Sequence, residues 1–166
     1  MDLLVKNGII VNAASEAAAD IYIKNGKIHK IDRNIKLSIG DSAEVIDAYR
    51  MFVMPGGIDP HVHMHLPGIA GHSSDDFVSG SKAALLGGTT TIIDFVTPQP
   101  GEGLIDALEA RMEEAKDCNT DYSFHISPVG WDTTTPRQIE KCINKGLPSF
   151  KLYMAYKESI GLDDEV

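Results

Sequence analysis

The sequence predicts an α/β chain in two parts: a small β domain over residues 1–55, then strands alternating with helices over residues 56–166. Three observations predict it. Short β-prone runs punctuated by Asn-Gly fill the first third of the chain. Pro55-Gly56-Gly57 then breaks that pattern and marks a boundary. Beyond it, apolar strands and amphipathic helices take turns, which implies a parallel sheet, either doubly wound or closed as a barrel.

In the first part the β-prone runs are residues 3–6, 9–12, 20–24, 27–31 and 43–47. Asn7-Gly8 and Asn25-Gly26 each lie between two runs and predict two hairpin turns, because both residue types tolerate positive φ. In the second part residues 58–64, 89–95, 122–126 and 149–156 read as strands. Helices are predicted over 77–86, 104–116 and 136–144. The first has Ser-Asp-Asp before it and Gly-Gly after it; the third has a proline near its start and Gly146 beyond its end. Residues 162–165 resemble the first turn of another helix. A closed barrel needs eight strand–helix units and typically ~250 residues. About four units fit here, so the chain reads as the front part of a larger fold.

Composition narrows the function. At 166 residues, 43% hydrophobic and 23% charged, the chain is an ordinary globular protein. A net charge of -9 and the absence of any Lys/Arg cluster argue against nucleic acid or an anionic membrane as partner. Cys118 and Cys142 make no disulfide framework and no C-x-x-C motif. The opening Met-Asp-Leu-Leu reads as neither a signal peptide nor a membrane span, so the cytoplasm is the expected compartment.

The stretch that carries chemistry is Gly-Gly-Ile-Asp-Pro-His-Val-His-Met-His-Leu-Pro, residues 56–67. Side chains on a strand alternate between faces, so His61, His63 and His65 are predicted to share one face. Two neutral imidazoles so placed can share a borderline metal such as zinc. Asp59 has the same parity and is positioned to orient a histidine from behind. A second feature is Lys151 inside the apolar run Phe-Lys-Leu-Tyr-Met-Ala-Tyr. Burying an ammonium without a partner is costly. The lysine either reaches solvent at the sheet end, pairs with an acid such as Asp94, or is used chemically: a neutral amine can take up carbon dioxide and become an anionic carbamate.

Three segments, Gly-Gly-Ile-Asp-Pro-His-Val-His, Gly-Gly-Thr-Thr-Thr-Ile-Ile-Asp-Phe and Ser-Phe-Lys-Leu-Tyr-Met-Ala-Tyr, occur in this order. Together they resemble the hydantoinase/dihydropyrimidinase branch of the amidohydrolase superfamily, over essentially the whole chain. The resemblance implies the first half of a (β/α)8 TIM-like barrel preceded by a small β-sandwich-type domain. It implies a hydrolase that opens cyclic amides, dihydropyrimidines or hydantoins, to N-carbamoyl amino acids by means of a hydroxide bridging two divalent metal ions, zinc by default. His61 and His63 would bind the more buried ion, and Lys151, carbamylated by carbon dioxide, would bridge both. Tyr156 resembles the tyrosine that donates to the oxyanion. Its parity is opposite to that of Lys151, so this role requires the strand to end or bend after Ala155. Leu66, Tyr153 and Ile160 match apolar pocket positions, with His65 at the pocket wall or behind the ligands.

Dihydroorotases carry arginine at the place of His65, and allantoinases usually lack the Lys-x-x-x-x-Tyr pair. The alternatives are another cyclic amidohydrolase such as allantoinase, a non-catalytic dihydropyrimidinase-related interaction protein, or a half-barrel binding module. The joint presence of His61, His63 and Lys151 favours the enzyme. The resemblance also implies a homo-oligomer, specifically a tetramer. The family's remaining histidine ligands and its catalytic aspartate fall later than residue 166, so these residues alone are expected to be inactive. His125, His72 and His29 read as structural or incidental.

Overall fold

The computed structural model describes residues 1–68 and 70–163. The chain divides into two compact units, Met1–Pro55 and Gly56–Val166.

The first unit is a single five-stranded sheet among its described residues. Its strands are β1 (Leu3–Val11), β2 (Glu16–Lys24), β3 (Lys27–Asp32), β4 (Glu44–Asp47) and β5 (Phe52–Val53). The order is β3-β2-β1-β4, and β5 also pairs with β1. β1 to β3 form an antiparallel meander, whereas β4 and β5 run parallel to β1. Asn25 and Gly26, at φ 53° and 72°, close the β2–β3 hairpin. Asn7-Gly8 does not make a turn. It is a bulge inside one continuous β1, with Asn7 at φ 63° and a register shift between Val5 and Gly8. The cause is the buried Asp20, whose Oδ1 accepts the Asn7 N–H at 2.9 Å while Oδ2 accepts that of Ile35 at 2.9 Å. The turn between β1 and β2 falls later, where the Asn12 side chain accepts the backbone N–H groups of Ala14 and Ser15.

The second unit holds β6 (Gly57–Asp59), β7 (Pro67–Gly68), β8 (Gly71–His72), α1 (Phe77–Leu86), β9 (Thr89–Val96), α2 (Leu104–Ala115), β10 (Asp121–Ile126) and α3 (Thr135–Asn144). β6, β9 and β10 form a parallel sheet in the order β10-β9-β6, and β7–β8 is a small separate hairpin. α1 starts at a capping box: the Asp76 carboxylate accepts the Ser79 N–H at 2.7 Å, and the Asp76 N–H donates to the Ser79 hydroxyl at 3.1 Å. It ends before Gly88, whose φ of 86° turns the chain into β9. The core between sheet and helices is Phe77, Ile92, Val96, Leu104, Leu108, Ala115, Phe124, Ile126 and Cys142.

Two predicted strands are far shorter than expected. The first, 58–64, ends at Asp59, because Pro60 lacks the donor to continue it. The fourth, 149–156, is a single bridge from Phe150 to Ile126, because β10 itself stops there and leaves residues 152–156 no ladder to join. Residues 161–163 are not helical, and residues 164 and 165 of the expected last helix lie outside the described residues. Among the described residues, no helix is long and apolar enough to cross a membrane.

Candidate metal centre

The loop after β6 is pinned to β9 from end to end. The Asp59 carboxylate accepts the His61 N–H at 3.1 Å, so this acid caps the chain and does not hold an imidazole as its parity suggested. The Val62 N–H reaches the Ile93 carbonyl at 3.1 Å, and the Met64 N–H reaches the Asp94 carboxylate at 2.7 Å. Met64 packs on Gly80 of α1 so closely that a Cβ on that glycine would collide with its sulfur. His61 and His63 are thus fixed by loop hydrogen bonds, not by the alternation of a strand.

Their Nε2 atoms lie 3.3 Å apart. Two nitrogens about 2.05 Å from one zinc ion at a tetrahedral angle lie about 3.35 Å apart, so the pair has the span a shared ion requires. Both rings rest on Phe95, at centroid distances of 4.6 and 4.7 Å. Loss of water around His63 lowers its pKa below the ordinary imidazole value. Asp94 opposes that shift, and His61, Lys151 and Arg111 add to it. The net effect favours the neutral ring with a free lone pair.

Phe95 gathers the other groups too. The Lys151 Nζ lies 5.7 Å from its centroid and 5.2 Å from that of Tyr153. Among the described residues Lys151 makes no ion pair; Asp94, its candidate partner, is taken by Arg111 at 2.9 Å. That arginine, from α2, also donates to the Met64 carbonyl and to Glu114, and its guanidinium stacks over Phe77 at 4.7 Å. His125 packs on Phe95 at 5.0 Å and has oxygens at both ring nitrogens: the Pro60 carbonyl 2.8 Å from Nε2 and the Ser149 hydroxyl 2.6 Å from Nδ1. No local signal in the sequence marks it, because its partners lie 65 and 24 residues away.

A cavity of about 390 Å³ opens beside the pair and is lined by His63, His65, Leu66, Arg111, Tyr153 and Ile160, among others. His65 does not join the other two histidines. At φ 47° it turns away from the shared face and stacks on His72 with centroids 3.9 Å apart. Tyr156, at φ 63°, ends the run, and its carbonyl accepts the N–H groups of Ser159, Ile160 and Gly161; the residue is 69% exposed and is not among the cavity-lining groups. Among the described residues, no group of three or more His, Cys, Asp or Glu side chains converges on one point. What gathers around Phe95 is three imidazoles, of His61, His63 and His125, and the Lys151 amine.

A model of the amidohydrolase family matches residues 52–156. The chain belongs to that family. It is 42% identical to a dihydropyrimidinase of Arabidopsis thaliana over 165 residues, covering 99% of this chain and 30% of the relative. To a D-hydantoinase of Geobacillus stearothermophilus it is 45% identical, covering 99% of this chain and 35% of the relative. The solved D-hydantoinase (dihydropyrimidinase) from Thermus sp. superposes with a TM-score of 0.91 at 39% identity, covering 98% of this chain and 35% of that one. This amidohydrolase chain therefore spans about a third of the length of the relatives it matches.

Proposed function

We propose that the full protein is a cyclic amidohydrolase, opening dihydropyrimidine or hydantoin rings to N-carbamoyl amino acids with two divalent ions, zinc by default. The observation that carries this reading is the His61–His63 pair, with Nε2 atoms 3.3 Å apart. Similarity to a dihydropyrimidinase and to D-hydantoinases supplies the substrate class. When bound, the ions would supply Lewis acidity and make water nucleophilic near neutral pH. His61 and His63 would hold one of them through Nε2. Lys151, as the carbamate formed when its amine adds carbon dioxide and releases a proton, would contribute oxygen ligands to both. By the resemblance of its segment Tyr156 is assigned the hydrogen bond to the carbonyl oxygen under attack, a role for which its exposed side chain would have to turn toward the cavity. Leu66, Tyr153 and Ile160 would form the apolar wall against the ring, with His65 beside them and Asp59 holding the His61 backbone.

Two histidines and one lysine leave two ions under-coordinated, so the reading calls for further ligands and a general base from outside these 166 residues. On the same reading the parallel sheet begins a (β/α)8 barrel, the five-stranded sheet belongs to a β-sandwich, and the protein is a cytoplasmic homotetramer. The test is incubation of the natural full-length protein with dihydrouracil and with hydantoin, before and after chelation, with the N-carbamoyl product quantified. Ring opening that chelation abolishes and zinc restores is the expected result. Failure to open either ring with ions bound would overturn the proposal.

A further inference from the structure

The hydrogen bonds of His125 fix its tautomer. The Pro60 carbonyl can only accept, so Nε2 carries the proton and donates to it at 2.8 Å. In the neutral ring Nδ1 then offers a lone pair, which takes the Ser149 hydroxyl at 2.6 Å. The two partners belong to separate parts of the candidate centre: Pro60 directly precedes His61, and Ser149 stands two residues before Lys151. Nor are these segments neighbours in the sheet. β6 pairs with β9, β9 pairs with β10, and the Lys151 segment reaches only β10, through the Phe150 bridge. One imidazole therefore crosses β9, packed on Phe95, and ties the histidine loop to the lysine segment. The backbone holds each segment on its own: Val62 N–H to Ile93 O at 3.1 Å on one side, Lys151 N–H to Ile126 O at 2.8 Å on the other.

We propose that His125 is a positioning residue that sets the spacing between the His61–His63 pair and the Lys151 amine, and thereby the affinity for the ions these groups hold. The proposal rests on the metal-centre reading above. His125 itself touches no reacting atom, and with both nitrogens engaged it is not a ligand. Groups that orient metal ligands from behind typically cost about 10–100-fold in metal affinity when removed.

The test measures the dissociation constant and stoichiometry of zinc, by competition with a chromophoric chelator, in the natural full-length protein. The variants are His125→Gln, His125→Asn, His125→Phe and Ser149→Ala. A glutamine amide can stand where Nε2 stands and still donate to Pro60. An asparagine can accept from Ser149 but falls short of Pro60. Retention of zinc affinity to within about threefold in His125→Gln is expected, with a loss of at least about tenfold in His125→Asn and His125→Phe. Should His125→Phe not fold, the Gln–Asn contrast and a several-fold loss in Ser149→Ala decide the matter. A merely structural histidine would rank the variants by melting temperature and leave the zinc constants equal, and that result would overturn the proposal. Wild-type protein that binds no zinc would overturn the metal-centre reading instead, and this proposal with it.

Discussion

Removing the Arg111 guanidinium is expected to destabilise the second unit by about 3 kcal/mol. The Asp94 side chain is 1% exposed and that of Arg111 15%, with 2.9 Å between their nearest atoms. In Arg111→Met the carboxylate keeps the Met64 and Phe95 N–H donors but loses its counter-charge, and the Met64 carbonyl loses its donor. Breaking a buried ion pair from one side costs about 3–5 kcal/mol, and the partial exposure of Arg111 places this case at the lower end. At roughly 2–4 °C per kcal/mol for a chain of this size, the melting temperature should fall by about 6–12 °C. Urea unfolding followed by the fluorescence of Trp131, the single tryptophan and a residue of the second unit, reads the effect where it arises. The double variant Asp94→Asn/Arg111→Met should lose at least about 1 kcal/mol less than the sum of the single losses, because the uncompensated charge is gone. A loss below about 1 kcal/mol in Arg111→Met, or strict additivity in the double variant, would show that Arg111 does not neutralise Asp94 in the folded chain.

Other perturbations test the local geometry. The Asp76 carboxyl is held below the ordinary carboxylate range by the Ser79 backbone N–H and then by the Ser79 hydroxyl. Its contribution to stability should therefore be complete above that range and disappear as pH falls through the lowered value. The stability gap between wild type and Asp76→Ala, followed by urea titration, should close on acidification; a gap that widens in acid would contradict the cap. At Gly161 a Cβ would lie 2.5 Å from the Ala155 carbonyl oxygen and 2.9 Å from the Lys157 nitrogen, both backbone atoms that cannot swing aside. Gly161→Ala should open the 155–161 turn and speed tryptic cleavage after Lys157, whereas an unchanged cleavage rate would show that the turn does not depend on this contact.

The pairing of His61 with His63 was legible in the sequence, but for a reason the structure replaces. Strand parity placed three histidines on one face, yet the strand stops at Asp59 and the pair is held by Phe95 and by the hydrogen bonds of β9. His65 has the same parity and turns away, since its positive φ carries it to His72. Asn-Gly gave a true turn at Asn25 and a false one at Asn7, although the dipeptide is identical. What differs is Asp20, which holds Asn7 within a strand and is 13 residues away. The start of α1 was readable because its cap, Asp76 with Ser79, is local, whereas the first N–H of α2 is satisfied by Gln138 from α3. The shortened strand at Phe150 was not readable, because its length is set by where β10 ends.

If His61, His63 and Lys151 belong to one two-ion centre, the metal content of the natural full-length protein and of its Lys151→Ala variant must differ when measured by elemental analysis after dialysis against metal-free buffer. Two ions per chain in the wild type and at most one in the variant is the expected result. Two ions retained in Lys151→Ala would contradict it.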